Sequence, residues 1–220
     1  MAPRNKVQRK KTRLPPPPPK RKTNRSMILA IAIIAVIVIV FGVIVVTGQL
    51  NQPATTDPYL DATEVQLQTS MGNITVALRN DKPITTANFI NLANEGVYDN
   101  TIFHRVIAGF MIQGGDPTGT GYGDSSIPNI RDEVNVGSDN HNYNGTIAMA
   151  NTGAANSASS QFFINVANNT NRYAAFDTSY TVFGKVVSGM DVVMEISQVA
   201  TNSDDKPLQD VTLISVTVLP

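Results

Sequence analysis

The longest apolar stretch of the chain runs from Met27 to Val46 (MILAIAIIAVIVIVFGVIVV), and its twenty residues include no charge. In a helix, at about 1.5 Å per residue, such a stretch crosses the ~30 Å hydrocarbon layer of a bilayer. A cleaved signal peptide is the alternative. Its apolar region usually has about 7 to 15 residues and ends at an A-x-A-like site, which VVTGQLNQ lacks. We therefore predict an uncleaved signal anchor over residues 27–47.

The segments on either side of this span differ in composition. Residues 1–26 contain ten basic residues and no acidic one, so we expect this tail to stay in the cytoplasm and the rest of the chain to lie outside the cell membrane. Residues 48–62 are polar, contain two prolines and lack apolar periodicity, as is typical of a linker. Residues 63–220 form the predicted folded domain.

The domain begins with two alternating segments. VQLQT (65–69) and ITVAL (74–78) alternate strictly between apolar and polar residues, which predicts a hairpin with one buried face. Pro83 then suits the first turn of a helix and Gly96 its carboxyl end. An apolar stripe supports this helix: Ile84, Ala87, Phe89, Ile90 and Leu92.

The rest of the domain consists of short apolar segments between glycine- and asparagine-rich loops. Further strands are predicted near residues 102–107, 110–113, 146–150, 161–166, 181–187 and 211–218, and a second helix over residues 190–199. Eight strands and two helices indicate a mainly β fold. We expect a closed antiparallel barrel, because closure removes exposed strand edges.

The charge distribution limits the possible partners. Lys and Arg total 17, as do Asp and Glu, and ten of the basic residues lie in the tail. The remainder therefore holds seven basic residues against 17 acids, a net charge of 7 − 17 = −10, which argues against nucleic acid as a partner. The tail is suited to anionic lipid, although a topology signal alone explains it equally well. Pro15 to Pro19 predict a stiff polyproline II spacer or a ligand for a proline-binding module.

Few residues are suited to metal, cofactor or nucleophilic chemistry. The chain has no cysteine and two histidines, His104 and His141, which do not form an H-x-H or H-x-x-x-H pair. We therefore expect neither a metal nor a cofactor. No G-x-S-x-G motif is present, and GTGYG (119–123) lacks the last glycine of a dinucleotide fingerprint, so we interpret it as a loop. His104 is interpreted as a hydrogen-bonded histidine on a packed face.

Strand periodicity pairs polar with apolar side chains, because residues two apart share a face. Three predicted strands each offer such a pair: Phe103 with Arg105, Met111 with Gln113, and Gln161 with Phe163. This arrangement favours a groove that hydrogen-bonds an extended backbone and holds an apolar side chain. The alternative is ordinary barrel surface, with the arginine paired to an acid.

Four segments of the domain follow one another along the chain: FHRVIAGFMIQGGD (103–116), TIAMANTG (146–153), SSQFFI (159–164) and YTVFGKVVSGMDVV (180–193). Together they resemble the cyclophilins, a family of peptidyl-prolyl cis-trans isomerases. The first segment is similar to the central signature of that family, and the other three follow in the family's order. The resemblance covers residues 63–220 and implies an eight-stranded antiparallel barrel capped by two helices.

The resemblance also implies an activity and a site. Rotation about an X-Pro bond faces a barrier of about 20 kcal/mol but breaks no bond, so it needs no nucleophile. Arg105 is similar in position to the family's catalytic arginine, and Gln113 and Phe110 complete the implied catalytic set. The implied substrate-binding residues are Met111, Ala150, Asn151 (through its backbone), Thr152, Gln161, Phe163, Phe176 and Tyr180.

The segment between Val166 and Val182 departs from the family's pattern. It is a few residues longer, and alignment on VFG places Ala175 where the family commonly has tryptophan or another aromatic residue. Phe176 then stands at the leucine position and Tyr180 at the histidine position. Phe176 can still close the pocket, Tyr180 can still donate a hydrogen bond, and Tyr173 is a candidate to take the place of the missing aromatic residue.

Two functions remain open from the sequence. The first is a monomeric, membrane-anchored isomerase that assists the folding of exported or surface proteins by binding their proline-containing segments. The second is a non-catalytic scaffold that uses the same groove to hold a proline-containing partner at the membrane. The presence together of Arg105, Phe110, Met111, Gln113 and Phe163 favours the enzyme.

Overall fold

The computed structural model of the chain describes residues 57–137, 139–170 and 175–220. The predicted tail, the predicted anchor over residues 27–47 and most of the predicted linker lie outside these ranges. Among the residues that are described, no helix has the length and apolar character needed to cross a membrane.

The described chain forms nine strands and three helices. In chain order they are β1 (Glu64–Thr69), β2 (Gly72–Leu78), α1 (Pro83–Asn94), β3 (Thr101–Ile102), β4 (Arg105–Ile107), β5 (Met111–Gly114), β6 (Thr146–Met149), β7 (Phe162–Asn165), α2 (Phe176–Ser179), β8 (Val182–Ser188), α3 (Met190–Ile196) and β9 (Thr212–Val218). The predicted hairpin and first helix are therefore present. The second predicted helix ends at Ile196 rather than at residue 199, and α2 was not predicted.

The strands form one antiparallel sheet in the order β3-β9-β1-β2-β8-β6-β7-β5-β4. The predicted count of eight strands was wrong, and so was full closure by strand pairing. In the described residues β3 and β4 are the two ends of the sheet, and a single bridge between Ile102 and Asp116 joins β3 to the chain just after β5. The fold is a curved half-barrel.

The extra strand arises because the predicted strand over residues 102–107 divides in two. β3 pairs with β9, whereas β4 pairs with β5. Between them the Phe103 amide donates to the Val211 carbonyl at 3.0 Å, and the side chains of Phe103 and His104 are both buried. Two consecutive buried side chains break the alternation of a single strand, so the chain passes from one end of the sheet to the other.

The inner face of the sheet encloses the main core with α1 and α3. Phe89 of α1 packs against Tyr98, Phe162 and Phe183, at ring-centroid distances of 4.9, 5.6 and 5.2 Å. The first turn of α1 is capped from a distance, since the buried Glu133 carboxylate accepts from the Ile84 amide at 3.2 Å and the Thr85 amide at 2.8 Å. An anion at a helix N-terminus satisfies amides that have no partner within the helix.

A second apolar cluster lies on the opposite face of strands β5 to β7. In β5, Ile112 belongs to the main core whereas Met111 belongs to the second cluster, and β7 divides Ile164 and Phe163 in the same way. These strands are apolar on both faces because both faces are covered. The second cluster contains Phe110, Met111, Ala148, Phe163, Phe176 and Val182.

Candidate active site

The backbone register places three of the predicted site residues in one row. Arg105 of β4 pairs with Gln113 of β5, and Gln113 pairs with Phe163 of β7. Directly paired residues of neighbouring strands project from the same face, with Cβ atoms about 5 Å apart. A cation, an amide and an aromatic ring therefore stand side by side on the outer face of the sheet.

This row opens onto a cavity of about 170 Å³. Phe110, Met111 and Phe163 supply apolar side chains that are at least nine-tenths buried, while the Arg105 side chain is 44% exposed at the rim. The structure brings together nine of the eleven predicted residues around this cavity: Arg105, Phe110, Met111, Gln113, Ala150, Asn151, Phe163, Phe176 and Tyr180.

The other two predicted residues, Thr152 and Gln161, line an adjoining polar cavity of about 610 Å³. The two cavities share Gln113, Ala150 and Asn151. Gln113 Nε2 donates to Gln161 Oε1 at 2.9 Å, and Gln161 Nε2 donates to the Gly121 carbonyl at 3.1 Å. This chain of amides fixes the orientation of Gln113 at the boundary between the cavities.

Helix α2 and the residue after it form the wall opposite Arg105. The Phe176 ring lies 5.9 Å from both Phe110 and Phe163, and the Tyr180 ring lies 5.4 Å from Phe163 in a T-shaped arrangement. Ala175, at the family's usual aromatic position, is exposed, has φ of +68° and does not line the cavity. Phe176 provides the aromatic contact instead, and Tyr173 lies outside the described residues.

Side chains of a neighbouring loop hold α2 in place. The Asp177 carboxylate accepts from the Asn142 amide at 2.9 Å and lies 2.8 Å from His141 Nδ1, while His141 Nε2 lies 2.9 Å from Asp139 Oδ1. Asn140 Nδ2 donates to the carbonyls of Asp177 and Tyr180. Nothing in the sequence motifs pointed to this loop, because its partners lie more than thirty residues away.

The pKa values of this cluster follow from its contacts. The hydrogen bond to Asp177 raises the pKa of His141, with a smaller contribution from Asp139. Burial alone would raise the pKa of Asp177, but hydrogen bonds from His141 and Asn142 outweigh it and hold that pKa below its usual value. The geometry suits an imidazolium between two carboxylates, because only the protonated ring donates from both nitrogens.

His104 is buried, as predicted, but neither ring nitrogen has a hydrogen-bond partner in good geometry among the described residues. Gln161 is close enough to raise the pKa of the ring slightly, but burial outweighs it. Burial lowers the pKa of this histidine, which keeps the ring neutral near pH 7. Phe103 is also on the wrong face for the predicted pairing with Arg105, because it packs in the main core at 6.4 Å from Phe162. Neither residue lines the cavity.

The loop interpreted from GTGYG is organised around one buried carboxylate. Asp116 is fully buried and accepts from the amides of Thr118 at 2.9 Å, Gly121 at 2.6 Å and Gly123 at 3.2 Å. Burial would raise the pKa of Asp116, but these bonds outweigh it and lower the pKa. This loop, which sequence reasoning missed as part of the site, forms one side of the larger cavity. An aspartate followed by threonine and repeated glycines is the signal that was available.

The described part of the chain has no cluster of three or more His, Cys, Asp or Glu side chains able to hold an ion. The residues around the cavity supply one permanent cation, several amides and an apolar floor. Such a site can bind an extended backbone and an apolar ring, and it can place positive charge beside them.

Comparison with known proteins agrees with this geometry. Residues 64–218 match the family model of the cyclophilin type peptidyl-prolyl cis-trans isomerases. The chain is 45% identical over 161 residues to peptidyl-prolyl cis-trans isomerase-like 1 of Aspergillus fumigatus, which covers 72% of this chain and 96% of the relative. It is 44% identical over 157 residues to peptidyl-prolyl cis-trans isomerase ppi1 of Schizosaccharomyces pombe, and the alignment covers 70% of this chain and 98% of that relative.

Solved structures give the same result. A cyclophilin type isomerase of Cryptosporidium parvum superposes with a TM-score of 0.66 at 28% identity, over 72% of this chain and 98% of that one. A second crystal structure of that protein was determined in the presence of the dipeptide Ala-Pro. It superposes with a TM-score of 0.65 at 29% identity, over 71% of this chain and 99% of that one. The chain belongs to the cyclophilin type peptidyl-prolyl cis-trans isomerases, and it is an enzyme of that class.

Proposed function

We propose that this isomerase twists X-Pro amides against Arg105 without a covalent intermediate, and that it acts outside a cell membrane on exported or surface proteins. A single observation carries the catalytic part of the proposal. The cavity of about 170 Å³ combines a charged guanidinium at its rim with a floor of Phe110, Met111 and Phe163.

The apolar floor suits a proline ring. A pyrrolidine ring has no backbone N–H to satisfy, so it enters an apolar pocket without leaving a donor unpaired. The dipeptide Ala-Pro, in the presence of which a crystal structure of the Cryptosporidium parvum relative was determined, contains such a ring. Phe176 and Tyr180 cover the ring from the opposite side and limit contact with water.

The guanidinium supplies the stabilisation that the reaction needs. When the amide twists, resonance is lost and the nitrogen regains a lone pair, which a planar amide does not offer. A permanent cation directed at that nitrogen binds the twisted state better than either planar state, and such differential binding is what accelerates a reaction. A reduction of the barrier by about 7 kcal/mol corresponds to roughly five orders of magnitude in rate.

The amides beside the pocket hold the rest of the substrate still while one bond rotates. Gln113 is oriented by Gln161, so its Oε1 is available for a substrate N–H. The Asn151 side chain donates to the Ser179 carbonyl at 2.7 Å and accepts from the Gly153 amide at 3.0 Å. These bonds fix the backbone of Asn151 along the groove, where it can pair with an extended chain.

The membrane part of the proposal has separate support. Residues 27–47 are long and apolar enough to span a bilayer, and ten basic residues precede them. An enzyme anchored in this way meets proteins as they leave the membrane, when their chains are still unfolded and their prolyl bonds are accessible. Uncatalysed isomerisation takes about 10 to 100 s, which is slow enough to limit their folding.

The catalytic part is tested with the full chain in mild detergent and an Ala-Pro peptide followed by NMR exchange spectroscopy. We expect the protein, at a small fraction of the peptide concentration, to increase the cis-trans exchange rate by orders of magnitude. Binding of the peptide with no increase in exchange would reject the enzymatic mechanism and favour the scaffold.

The membrane part is tested by adding protease to intact cells and to spheroplasts that express the full chain with a tag at each end. The proposal requires the carboxyl-terminal tag to be lost from spheroplasts while the amino-terminal tag remains. Protection of both tags until the membrane is broken, or release of the protein without detergent, would contradict it.

A further inference from the structure

We propose that Asp205 is a positioning residue for Arg105, holding its guanidinium towards the proline pocket before substrate arrives. The inference rests on the proposed catalytic role of Arg105. Asp205 belongs to none of the four family-like segments, and the cavity described above does not include it.

The carboxylate contacts one side of the guanidinium. Asp205 Oδ2 lies 3.5 Å from Arg105 Nε, and the two side chains are 43% and 44% exposed. The guanidinium is a planar fork, so a carboxylate beside Nε restricts the orientations that the whole group adopts. A contact on that side leaves the terminal nitrogens for the pocket, where the substrate nitrogen must meet a donor.

The backbone brings Asp205 to this position. β4 is an end strand of the sheet, and in it Val106 directs its amide away from β5, because successive amides of a strand point to opposite edges. That amide donates to the Asp205 carbonyl at 2.8 Å. The residue next to Arg105 is thus bonded to the residue that carries the carboxylate.

The loop around Asp205 is itself ordered by hydrogen bonds. Asn202 Oδ1 accepts from the amides of Asp204 at 2.9 Å and Lys206 at 3.0 Å, and the Asp205 amide donates to the Asn202 carbonyl at 3.2 Å. Asp205 has φ of +63°, a left-handed conformation that aspartate and asparagine tolerate better than most residues. The position of the carboxylate is therefore set by the fold.

This contact has a consequence for catalysis. A half-exposed arginine samples several rotamers, and it loses this conformational entropy when its side chain becomes ordered against the substrate. A carboxylate that already restricts the side chain reduces that loss. The loss of Asp205 should therefore lower mainly the cis-trans exchange rate at saturating peptide. The peptide Kd should change less, because the proline ring is held by the apolar floor, which Asp205 does not contact.

The test compares Asp205→Asn with Asp204→Asn in the full chain, by exchange spectroscopy on an Ala-Pro peptide. Asparagine keeps the shape of aspartate and its tolerance for positive φ, so the loop is preserved. Asp204 is exposed and adjacent, so its variant loses the same charge. We expect Asp205→Asn to lower the exchange rate at saturating peptide by roughly two- to fivefold, the range of an exposed ion pair. The peptide Kd should change less than about twofold on the same basis, and Asp204→Asn should match the original protein.

Salt and a double variant separate positioning from a general structural effect. Raising NaCl from about 0.05 to 1 M should lower the exchange rate of the original protein to nearly that of Asp205→Asn, because salt screens exposed ion pairs. The exchange rate of Asp205→Asn itself should not change with salt. In an Arg105→Ala background, Asp205→Asn should have no further effect. If the original protein is active and Asp205→Asn exchanges the peptide at the same rate or faster, the inference about Asp205 is wrong while the proposed function stands. The same conclusion follows if Asp205→Asn and Asp204→Asn lose activity equally. Absence of activity in the original protein would overturn the proposed function and this inference together.

Discussion

The two walls of the cavity proposed to hold proline are built in different ways. On one side Arg105, Gln113 and Phe163 stand on adjacent strands, and backbone ladders fix their spacing. On the other side α2 is a single turn of four residues, and its position depends on side chains of residues 139–142. We call these the sheet wall and the helix wall.

This difference in construction corresponds to a difference in the proposed roles of the two walls. The charge that we propose acts on the amide, that of Arg105, lies on the sheet wall, where a shift of position would require breaking strand pairing. The helix wall closes over the ring and is held by a few polar bonds, which one substitution or one proton can remove. Changes in the helix wall should therefore alter peptide binding and stability more than the rate of the bound complex.

The largest effect on stability should come from truncating an aromatic residue of the sheet wall. Phe163→Ala should lower the free energy of unfolding by about 3–5 kcal/mol, because β7 is paired on both sides and cannot move into the space left behind. Phe176→Ala should cost at least about 1 kcal/mol less, since one helical turn can relax towards the hole. Urea unfolding of both variants measures the difference, and equal costs would show that the helix wall is as rigid as the sheet wall.

The next effect concerns the polar bonds that hold α2. Asp177→Asn removes the charge that faces His141, and we expect a loss of about 1–2 kcal/mol in the free energy of unfolding. The peptide Kd should rise roughly two- to fivefold while the exchange rate at saturation stays within about twofold, because Arg105 is not displaced. The exposed Asp210 provides a matched control as Asp210→Asn, which should leave both quantities unchanged. A normal Kd in Asp177→Asn would mean that Asp177 does not position the helix wall.

A smaller effect should appear in the dependence of stability on pH. The pKa of His141 is raised by its hydrogen bond to Asp177, so its contribution to stability is present below the unfolded pKa of about 6.5 and is lost as pH rises through the folded pKa. His104 has a lowered pKa, so its titration in the unfolded state slightly raises stability as pH rises past about 6.5. This contribution is the same in the original protein and in His141→Gln, so it does not affect their comparison. We expect the Tm to fall between about pH 6.5 and 8.5 by more than in His141→Gln. Parallel pH curves for the two proteins would be the opposite result.

The smallest effect is expected at the edge of the groove. Thr152 Oγ1 bonds to Ser157 Oγ at 2.9 Å in an exposed loop, away from the Arg105 row. Thr152→Ala should change the exchange rate and Kd by less than about twofold, as for most surface substitutions. A larger change would place this residue in contact with the substrate.

The sequence predicted the sheet wall better than the helix wall, for a physical reason. Alternation and the segments 103–116 and 159–164 are local signals, and the structure brings the residues they singled out, Arg105, Gln113 and Phe163, around one cavity. Strand pairing then fixes the rest, because residues in register must share a face. The error at Phe103 arose where alternation fails, at two consecutive buried side chains.

The helix wall depends on contacts between residues far apart in sequence. Asp177 and Asn142 are 35 positions apart. On the sheet wall, the contact of Asp205 with Arg105 likewise joins residues 100 positions apart. Periodicity does not report such contacts. The count of strands failed for a related reason, since the break between Ile102 and Arg105 depends on pairing with β9 and β5 at opposite ends of the sheet.

The central claim is that Arg105 stabilises the twisted amide rather than the bound proline. It is tested most directly by measuring both the exchange rate at saturating Ala-Pro peptide and the peptide Kd for Arg105→Ala, with Arg131→Ala, a substitution at an exposed arginine, as the control. We expect Arg105→Ala to reduce the exchange rate by about 100-fold or more, with a Kd within about threefold of the original protein, and Arg131→Ala to be normal. A rate that survives in Arg105→Ala, or a loss that lies entirely in Kd, would contradict the account.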